Sequence, residues 1–167
     1  MTTNNQEQER ANSIGERIDY LNFRIGNENY AIKLIESKEV IKPPTITMVP
    51  HTEDYVLGVI NLRGQIIPVI DFKEKLNLSA GTEDLDEQQN KIIIVQFRKL
   101  MVGIMVDFVE DVIKIKKEDI EEITESESGI NLKFIEGVIK QDNRLIVIVD
   151  IESVLFSESG LIKEDVS

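Results

Sequence analysis

The stretch GVINLRGQIIPVIDF, residues 58–72, decides the fold of this chain. It consists of two apolar, β-branched runs on either side of Arg63 and Gly64. Two short runs of this kind around a glycine-containing turn are typical of an antiparallel β-hairpin. Because such a turn needs a positive φ angle, we expect one at Gly64, which has no side chain to oppose it.

Similar short apolar runs recur on both sides of this hairpin. They are too short and too rich in Val and Ile for helices, so they are interpreted as strands. With the hairpin, they occupy residues 20–25, 30–34, 38–41, 55–62, 65–72, 92–97, 102–106, 109–115, 134–139 and 145–151. Short amphipathic helices are expected over residues 73–78, 118–123 and 152–156. The pattern predicts an all-β protein with few short helices.

The hairpin sequence has a second copy later in the chain. Residues 58–60 (GVI), followed by Asp71, are matched by residues 137–139 (GVI), followed by Asp150, at the same spacing. Each aspartate follows an apolar strand and can accept backbone hydrogen bonds where the chain turns. We therefore expect Gly58, Gly137, Asp71 and Asp150 to support the turns structurally.

The likeness between the two halves extends upstream, where residues 31–41 align with residues 103–113. A repeat of about 70 residues is too long for a solenoid unit and indicates a duplicated small β-domain. Because closure removes the exposed edges of a small sheet, we predict two five-stranded SH3-like β-barrels side by side.

The halves suggest a division of the chain into five segments. Residues 1–17 form a polar tail and residues 79–90, SAGTEDLDEQQN, form an acidic linker. The first barrel subdomain is expected over residues 18–78 and the second over residues 91–157, followed by a C-terminal tail at 158–167. Strand exchange between the two subdomains is left open.

Composition excludes several classes of function. The formal net charge is −12, from 31 acidic and 19 basic residues, and no basic stripe offsets it, so nucleic acid is not an expected partner. The chain has no cysteine, which removes disulfides, thiolate metal sites and thiol chemistry. No signal peptide and no apolar run of roughly 18 residues is present, so we expect a cytoplasmic protein without direct membrane insertion.

Catalytic groups are sparse. His51 is the only histidine and stands in a polar loop, which indicates an ordinary solvated imidazole. Acid–base pairs could be drawn from Glu36 and Glu39, or from Asp71 and Asp150, but a structural role is favoured for these aspartates. We expect no metal, no cofactor and no enzymatic activity.

Arg63 is the residue that best fits a binding role. It stands at the predicted turn beside Asn61 and Leu62 in an otherwise acidic protein. A guanidinium offers five donors and a flat face, and arginine is enriched among the residues that dominate interface energies. This pattern favours a recognition anchor.

Residues 58–72 closely resemble the signature of the CheW family of chemotaxis coupling proteins. Residues 30–40, YAIKLIESKEV, are similar to an earlier hairpin of that family, and the likeness covers about residues 18–157. The resemblance implies two five-stranded SH3-like barrels and a non-enzymatic adaptor. It implies two partners, the cytoplasmic signalling tip of chemoreceptors and the regulatory domain of the histidine kinase CheA, with recruitment to membrane-associated receptor arrays. Because filled barrels with charged surfaces offer no obvious self-association face, we expect a monomer when the protein is isolated.

The resemblance also assigns residues by motif position. The receptor-facing surface would contain Glu39, Val40, Asn61, Leu62, Arg63 and Gly64. Gly58 is similar to a position where added bulk would disturb that surface, and the residues that contact the kinase stay unassigned. Ser37 and Glu53 depart from the family pattern, which has an apolar residue and often a proline at these positions.

Two alternatives remain at this point. One is a CheW-like coupling protein of a non-flagellar chemosensory pathway, which genomic neighbours would distinguish. The other is a small β-barrel enzyme or ligand-binding protein, which would require a deep polar pocket with convergent titratable groups.

Overall fold

The computed structural model describes residues 16–78, 89–124 and 130–156. Its strands are β1 (Arg17–Ile25), β2 (Glu28–Lys33), β3 (Ser37–Ile41), β4 (Val56–Leu62), β5 (Gln65–Asp71), β6 (Lys91–Phe97), β7 (Leu100–Val106), β8 (Phe108–Lys116), β9 (Ile135–Gln141) and β10 (Arg144–Val149). Helices α1 (Phe72–Lys75) and α2 (Ile151–Leu155) follow β5 and β10. Short 3-10 turns lie at Leu34–Glu36, Lys117–Asp119 and Leu132–Phe134. Most of the predicted tails and of the predicted linker lies outside the described residues.

The all-β prediction is confirmed, since each predicted apolar run corresponds to one strand. The helix predicted over residues 118–123 is wrong. Only the 3-10 turn Lys117–Asp119 forms there, because Glu121 is extended and pairs with Val138.

The strands form two five-stranded sheets, here called sheet A and sheet B. The strand order is β8-β1-β2-β10-β9 in sheet A and β3-β6-β7-β5-β4 in sheet B. Sheet B is therefore built from one continuous stretch, residues 37–106, inserted between the two parts of sheet A. Each sheet contains strands from both sides of the predicted linker, so the sheets do not follow the segments 18–78 and 91–157.

The internal repeat is visible in the strand pairing. In sheet A, β2 and β10 are parallel, with Ala31 opposite Ile148, and in sheet B, β7 and β5 are parallel, with Gly103 opposite Val69. Ala31 and Gly103 occupy the same place in the sequence repeat, as do Ile148 and Val69. Strand by strand, the order of one sheet reproduces the order of the other.

The barrels differ in one respect from the prediction, because neither sheet is closed by a continuous ladder. In sheet B, Thr47 forms an isolated bridge with Val59 of the opposite edge strand, through two backbone hydrogen bonds of 2.9 Å. In sheet A, Glu121 bridges Val138 through bonds of 2.8 and 2.9 Å. A single crossing segment thus links the two edges of each sheet.

Apolar side chains fill three cores. One core lies inside each sheet. The largest core contains residues of both sheets, including Phe23, Tyr30 and Ile93, together with Phe72 of α1. Ile92 and Ile94 point into sheet B while Ile93 and Val95 join the shared core. Because such strands are buried on both faces, their sequences are continuous apolar runs instead of alternating ones.

A polar network anchors the junction of β8, β1, β2 and β10. β8 carries one extra residue opposite β1, and this bulge brings Glu110 over the buried Asn22 and Asn29. The Glu110 carboxylate accepts hydrogen bonds from both amides, at 2.9 and 2.8 Å, and forms ion pairs with Arg24 and Arg144 at 3.0 and 3.1 Å. The buried amides therefore have partners, as buried polar groups require.

The β4–β5 hairpin has the conformation expected from its sequence. Leu62 pairs with Gln65, which leaves Arg63 and Gly64 as a two-residue turn with φ angles of 52° and 87°. Positive φ at both turn residues is typical of the type I′ turn that suits the twist of a hairpin. The positive φ expected at Gly64 is confirmed.

We predict that Gly64→Val destabilises the protein by about 1–3 kcal/mol, because a β-branched residue is strained at this positive φ. A Cβ atom at Gly64 would meet nothing within 4 Å, so the cost is conformational. Gly64→Asn is the matched control and should cost much less, since asparagine tolerates this region. The free energy of unfolding from urea denaturation measures both; equal costs for the two variants would contradict the prediction.

Candidate functional site

The predicted receptor-facing residues meet at the β4–β5 turn. Asn61 Oδ1 accepts a hydrogen bond of 2.8 Å from the Gly64 backbone N–H, and this bond stabilises the turn. Arg63 projects from the turn with 70% of its side chain exposed. The turn is short and hydrogen-bonded, so it presents the guanidinium from a rigid base.

An ion pair with Glu39 holds the Arg63 side chain. Nη1 of Arg63 donates to Oε1 of Glu39 at 3.3 Å, and Nη2 contacts Oε2 of the same carboxylate. The pair is bidentate, a geometry that suits the planar guanidinium. Because Glu39 lies on β3 and Arg63 follows β4, this contact joins the two edge strands of sheet B. We call Glu39, Asn61, Arg63 and Gly64 the Arg63 cluster.

The pair changes the ionisation of the carboxyl group. The hydrogen bond from Arg63, together with its positive charge, lowers the pKa of Glu39 below its ordinary value. Glu39 is therefore an anion at neutral pH. Both groups face solvent, so their mutual attraction is screened by salt.

Exposed apolar residues occur on the strands that carry the Arg63 cluster. Val40 follows Glu39 and is exposed, and Ile66 on β5 is exposed opposite Asn61. Leu62 is half-buried and packs against the core inside sheet B. An exposed guanidinium and exposed aliphatic groups on the same strands have the composition of a protein-binding surface.

Gly58 and Gly137 lie where the crossing segments pass over β4 and β9. Gly58 has φ of 144°, and a Cβ atom there would overlap the carbonyl oxygen of Thr47. A Cβ atom at Gly137 would lie 2.7 Å from the carbonyl oxygen of Glu121. The two glycines thus occupy the same place in each sheet. Because they have no side chain, the crossing segments can approach and form the two backbone bridges described above.

The repeated aspartates stand at the start of the two helices. Asp71 Oδ1 accepts a hydrogen bond from the Lys73 backbone N–H at 3.0 Å, and Asp150 accepts from the backbone N–H of Ser153 at 3.4 Å. The backbone N–H groups of Asp71 and Asp150 donate hydrogen bonds to the carbonyl groups of Tyr55 and Phe134, respectively. Each aspartate therefore ties a strand end to the following helix.

Neither sequence departure disrupts the backbone. Ser37 is half-buried and pairs with Val95 at a register shift between β3 and β6. Glu53 is exposed, and its carbonyl group accepts a hydrogen bond of 2.9 Å from Val56.

The described part of the chain offers few groups suited to catalysis or metal binding. His51 is exposed in a loop before β4, with a positive φ of 63°. In this part of the chain, no group of three or more His, Cys, Asp and Glu side chains is arranged to hold a metal ion. Within residues 16–78, 89–124 and 130–156, no helix has the length and apolarity needed to span a bilayer.

The sequence reasoning missed the two most exposed of the large apolar residues that the structure describes. Ile35 is 83% exposed in the 3-10 turn before β3, and Met48 is 82% exposed in the segment that crosses β4. Ile35 directly follows the predicted strand at residues 30–34, and Met48 ends the alternating stretch at residues 45–48. Their local sequences are therefore typical of core residues and give no signal of exposure.

The chain is similar to known proteins over most of its length. Residues 19–159 match the family model described as a CheW-like domain. The chain is 40% identical to the chemotaxis protein CheW of Bacillus subtilis, over 83% of this chain and 86% of that protein. It is 35% identical to the chemotaxis protein CheW of Helicobacter pylori, over 84% of this chain and 82% of that protein.

A solved structure has the same architecture. The crystal structure of the scaffolding protein TtCheW from Thermoanaerobacter tengcongensis superimposes with a TM-score of 0.77 and 31% sequence identity. The match covers 86% of this chain and 90% of that one.

The ion pair of the Arg63 cluster can be tested by titration. We expect Glu39 to titrate below its ordinary pKa in the wild-type protein and to return towards the ordinary value in Arg63→Gln, because the hydrogen bond and the charge are lost. Carboxyl ¹³C shifts followed against pH measure this. Arg98→Gln is the control, since Arg98 occupies a similar positive-φ turn elsewhere. An unchanged Glu39 pKa in Arg63→Gln would show that the pair does not persist in solution.

Proposed function

The chain belongs to the CheW-like domain family, and from that premise we propose that it is a non-enzymatic adaptor that couples chemoreceptors to the histidine kinase CheA. The observation that carries the proposal is the Arg63 cluster, an exposed guanidinium that is held by an ion pair with Glu39, the residue before exposed Val40. Such a surface binds a partner without catalysing a reaction. The scaffolding name of the structural neighbour supports the same role.

In this proposal the receptor's cytoplasmic signalling tip docks on Glu39, Val40 and the β4–β5 turn. The Arg63 guanidinium keeps donors free beyond those used by Glu39, so it can bind an acceptor of the receptor while its position stays fixed. Pre-organisation of this kind reduces the entropy lost on binding. The regulatory domain of CheA would bind elsewhere, on a surface whose residues are unassigned.

The adaptor needs no chemistry of its own. Two contacts of roughly 600–800 Å² per partner would be moderate and reversible. The protein would act in the cytoplasm, recruited to receptor arrays at the membrane. A receptor could then bias the kinase, provided that its contact with the adaptor differs in free energy between its signalling states.

The proposal is tested by titrating ¹⁵N-labelled protein separately with a receptor signalling-tip fragment and with the CheA regulatory domain. We expect saturable amide shifts in two distinct patches, one of them around Asn61 and Gly64. Absence of shifts with both partners at high micromolar concentration would overturn the adaptor role.

Arg63→Ala should weaken binding of the receptor fragment at least about fivefold, as expected for an interface anchor. Binding of the CheA domain should be unchanged. Arg98→Ala is the matched control, because Arg98 also opens a two-residue turn and has a positive φ of 60°. Equal receptor affinity of a folded Arg63→Ala variant would remove Arg63 from the interface.

A further inference from the structure

One end of sheet A gathers negative charge around a buried phenol. Tyr20 on β1 pairs with Lys33 on β2, and the 3-10 turn that contains Glu36 continues β2 at this end. The parallel pairing of Ala31 with Ile148 brings the chain after β10, with Asp150, beside Lys33. Glu136 on β9 lies at the same end, next to the pair of Gly137 and Ile148. The members of this Glu36 cluster are Tyr20, Lys33, Glu36, Glu136 and Asp150.

The Tyr20 hydroxyl lacks a partner in this cluster. Tyr20 is 0% exposed, and its hydroxyl group makes no hydrogen bond with any described residue. Burial, and then the charges of Glu136 and Glu36, raise the pKa of Tyr20 to about 12. A buried polar atom without a partner is uncommon and costs free energy, so it marks a place where a ligand can add a hydrogen bond.

Lys33 compensates the negative charge of the cluster only in part. Burial raises the pKa of Glu36, and the charges of Asp150, Glu136 and Glu152 raise it further against the opposing effect of Lys33. In the part of the chain that the structure describes, no ion pair joins Lys33 to any of these carboxylates. An added cation would therefore be attracted here.

The chemistry favours an organic cation over a metal ion. Among the described residues, no set of three carboxylates is spaced for metal coordination. A guanidinium or ammonium group needs no such shell, because each of its N–H donors can bind a separate acceptor. Ile35, 83% exposed in the same turn as Glu36, offers an apolar contact to the stem of a long basic side chain.

We propose that the Glu36 cluster binds an arginine or lysine side chain of the receptor segment that docks on Glu39 and Val40. This inference rests on the proposed adaptor function. It follows from continuity, since Glu36 immediately precedes β3, the strand that carries both residues. The receptor would then be recognised through two of its groups, an acceptor that binds Arg63 and a cation that binds the Glu36 cluster.

The test is a double-mutant cycle. Glu36→Gln should weaken binding of the receptor signalling-tip fragment about fivefold, because it removes one charge of a half-buried pair. The variant should fold, since the raised pKa of Glu36 means that its charged form costs stability at neutral pH. Asp142→Asn is the matched control. It also removes one negative charge, but at the opposite end of β9, in a positive-φ turn that asparagine tolerates.

The partner residue is found with a panel of receptor fragments in which each Lys and Arg is changed singly to Gln. For one fragment, the losses from that change and from Glu36→Gln should not add, and Glu36→Lys should be rescued by Glu at the same receptor position. Additive losses for every fragment, or full affinity of Glu36→Gln, would overturn the inference and leave the adaptor role intact. Failure of the wild-type protein to bind the fragment would overturn both.

Discussion

The segment around Thr47 crosses β4 at Gly58, and the two backbone hydrogen bonds between Thr47 and Val59 form there because the glycine has no side chain. The same crossing recurs at Gly137 in sheet A. Each crossing draws the two edge strands of a sheet together without a full ladder, which curls the sheet around its own core. The contact between Arg63 and Glu39 depends on this curl, because their strands lie at opposite edges of the sheet order.

The insertion of sheet B into sheet A has a second consequence. The chain leaves sheet A after Lys33 and enters sheet B at Ser37, so the turn that carries Ile35 and Glu36 lies between the sheets. Residues of the shared core pack from both sides and fix this junction. A surface made by the end of sheet A and the first strand of sheet B is thereby held as one unit, as a recognition surface built on strands should be.

Local signals in the sequence were sufficient to predict the strands and the repeat. They were not sufficient to predict which strands pair over long distances in sequence. The turn at Arg63 and Gly64 follows from local residue preferences, and the repeat follows from matched glycines and aspartates. Which strands share a sheet depends on hydrogen bonds between distant residues, such as those of Ala31 with Ile148, and short apolar runs do not encode them. The division into subdomains at residues 79–90 left strand exchange open, and the sheet topology shows that β6 and β7 join β3, β4 and β5.

The candidate site shows the same limit. The resemblance assigned Glu39 and Arg63 to the same surface, but only the fold shows that they form a bidentate pair. The polar network around Glu110 and the cluster around Glu36 gave no sequence signal, because acidic residues are common throughout the chain and their partners are distant in sequence. A charged residue indicates a site only when the burial of its side chain is also known.

Opposite charges at fixed positions would give the proposed receptor contact its selectivity. Over distances beyond roughly 8–10 Å the net charge of −12 is screened at physiological salt, so groups in direct contact decide which partner binds. In this proposed contact, Arg63 would disfavour a receptor that lacks an acceptor, and the Glu36 cluster would disfavour one that brings a second acidic group. Discrimination of this kind uses repulsion as well as attraction. Because β3 connects the two positions, a partner that satisfies one must place its other charge at a defined distance along the same strand.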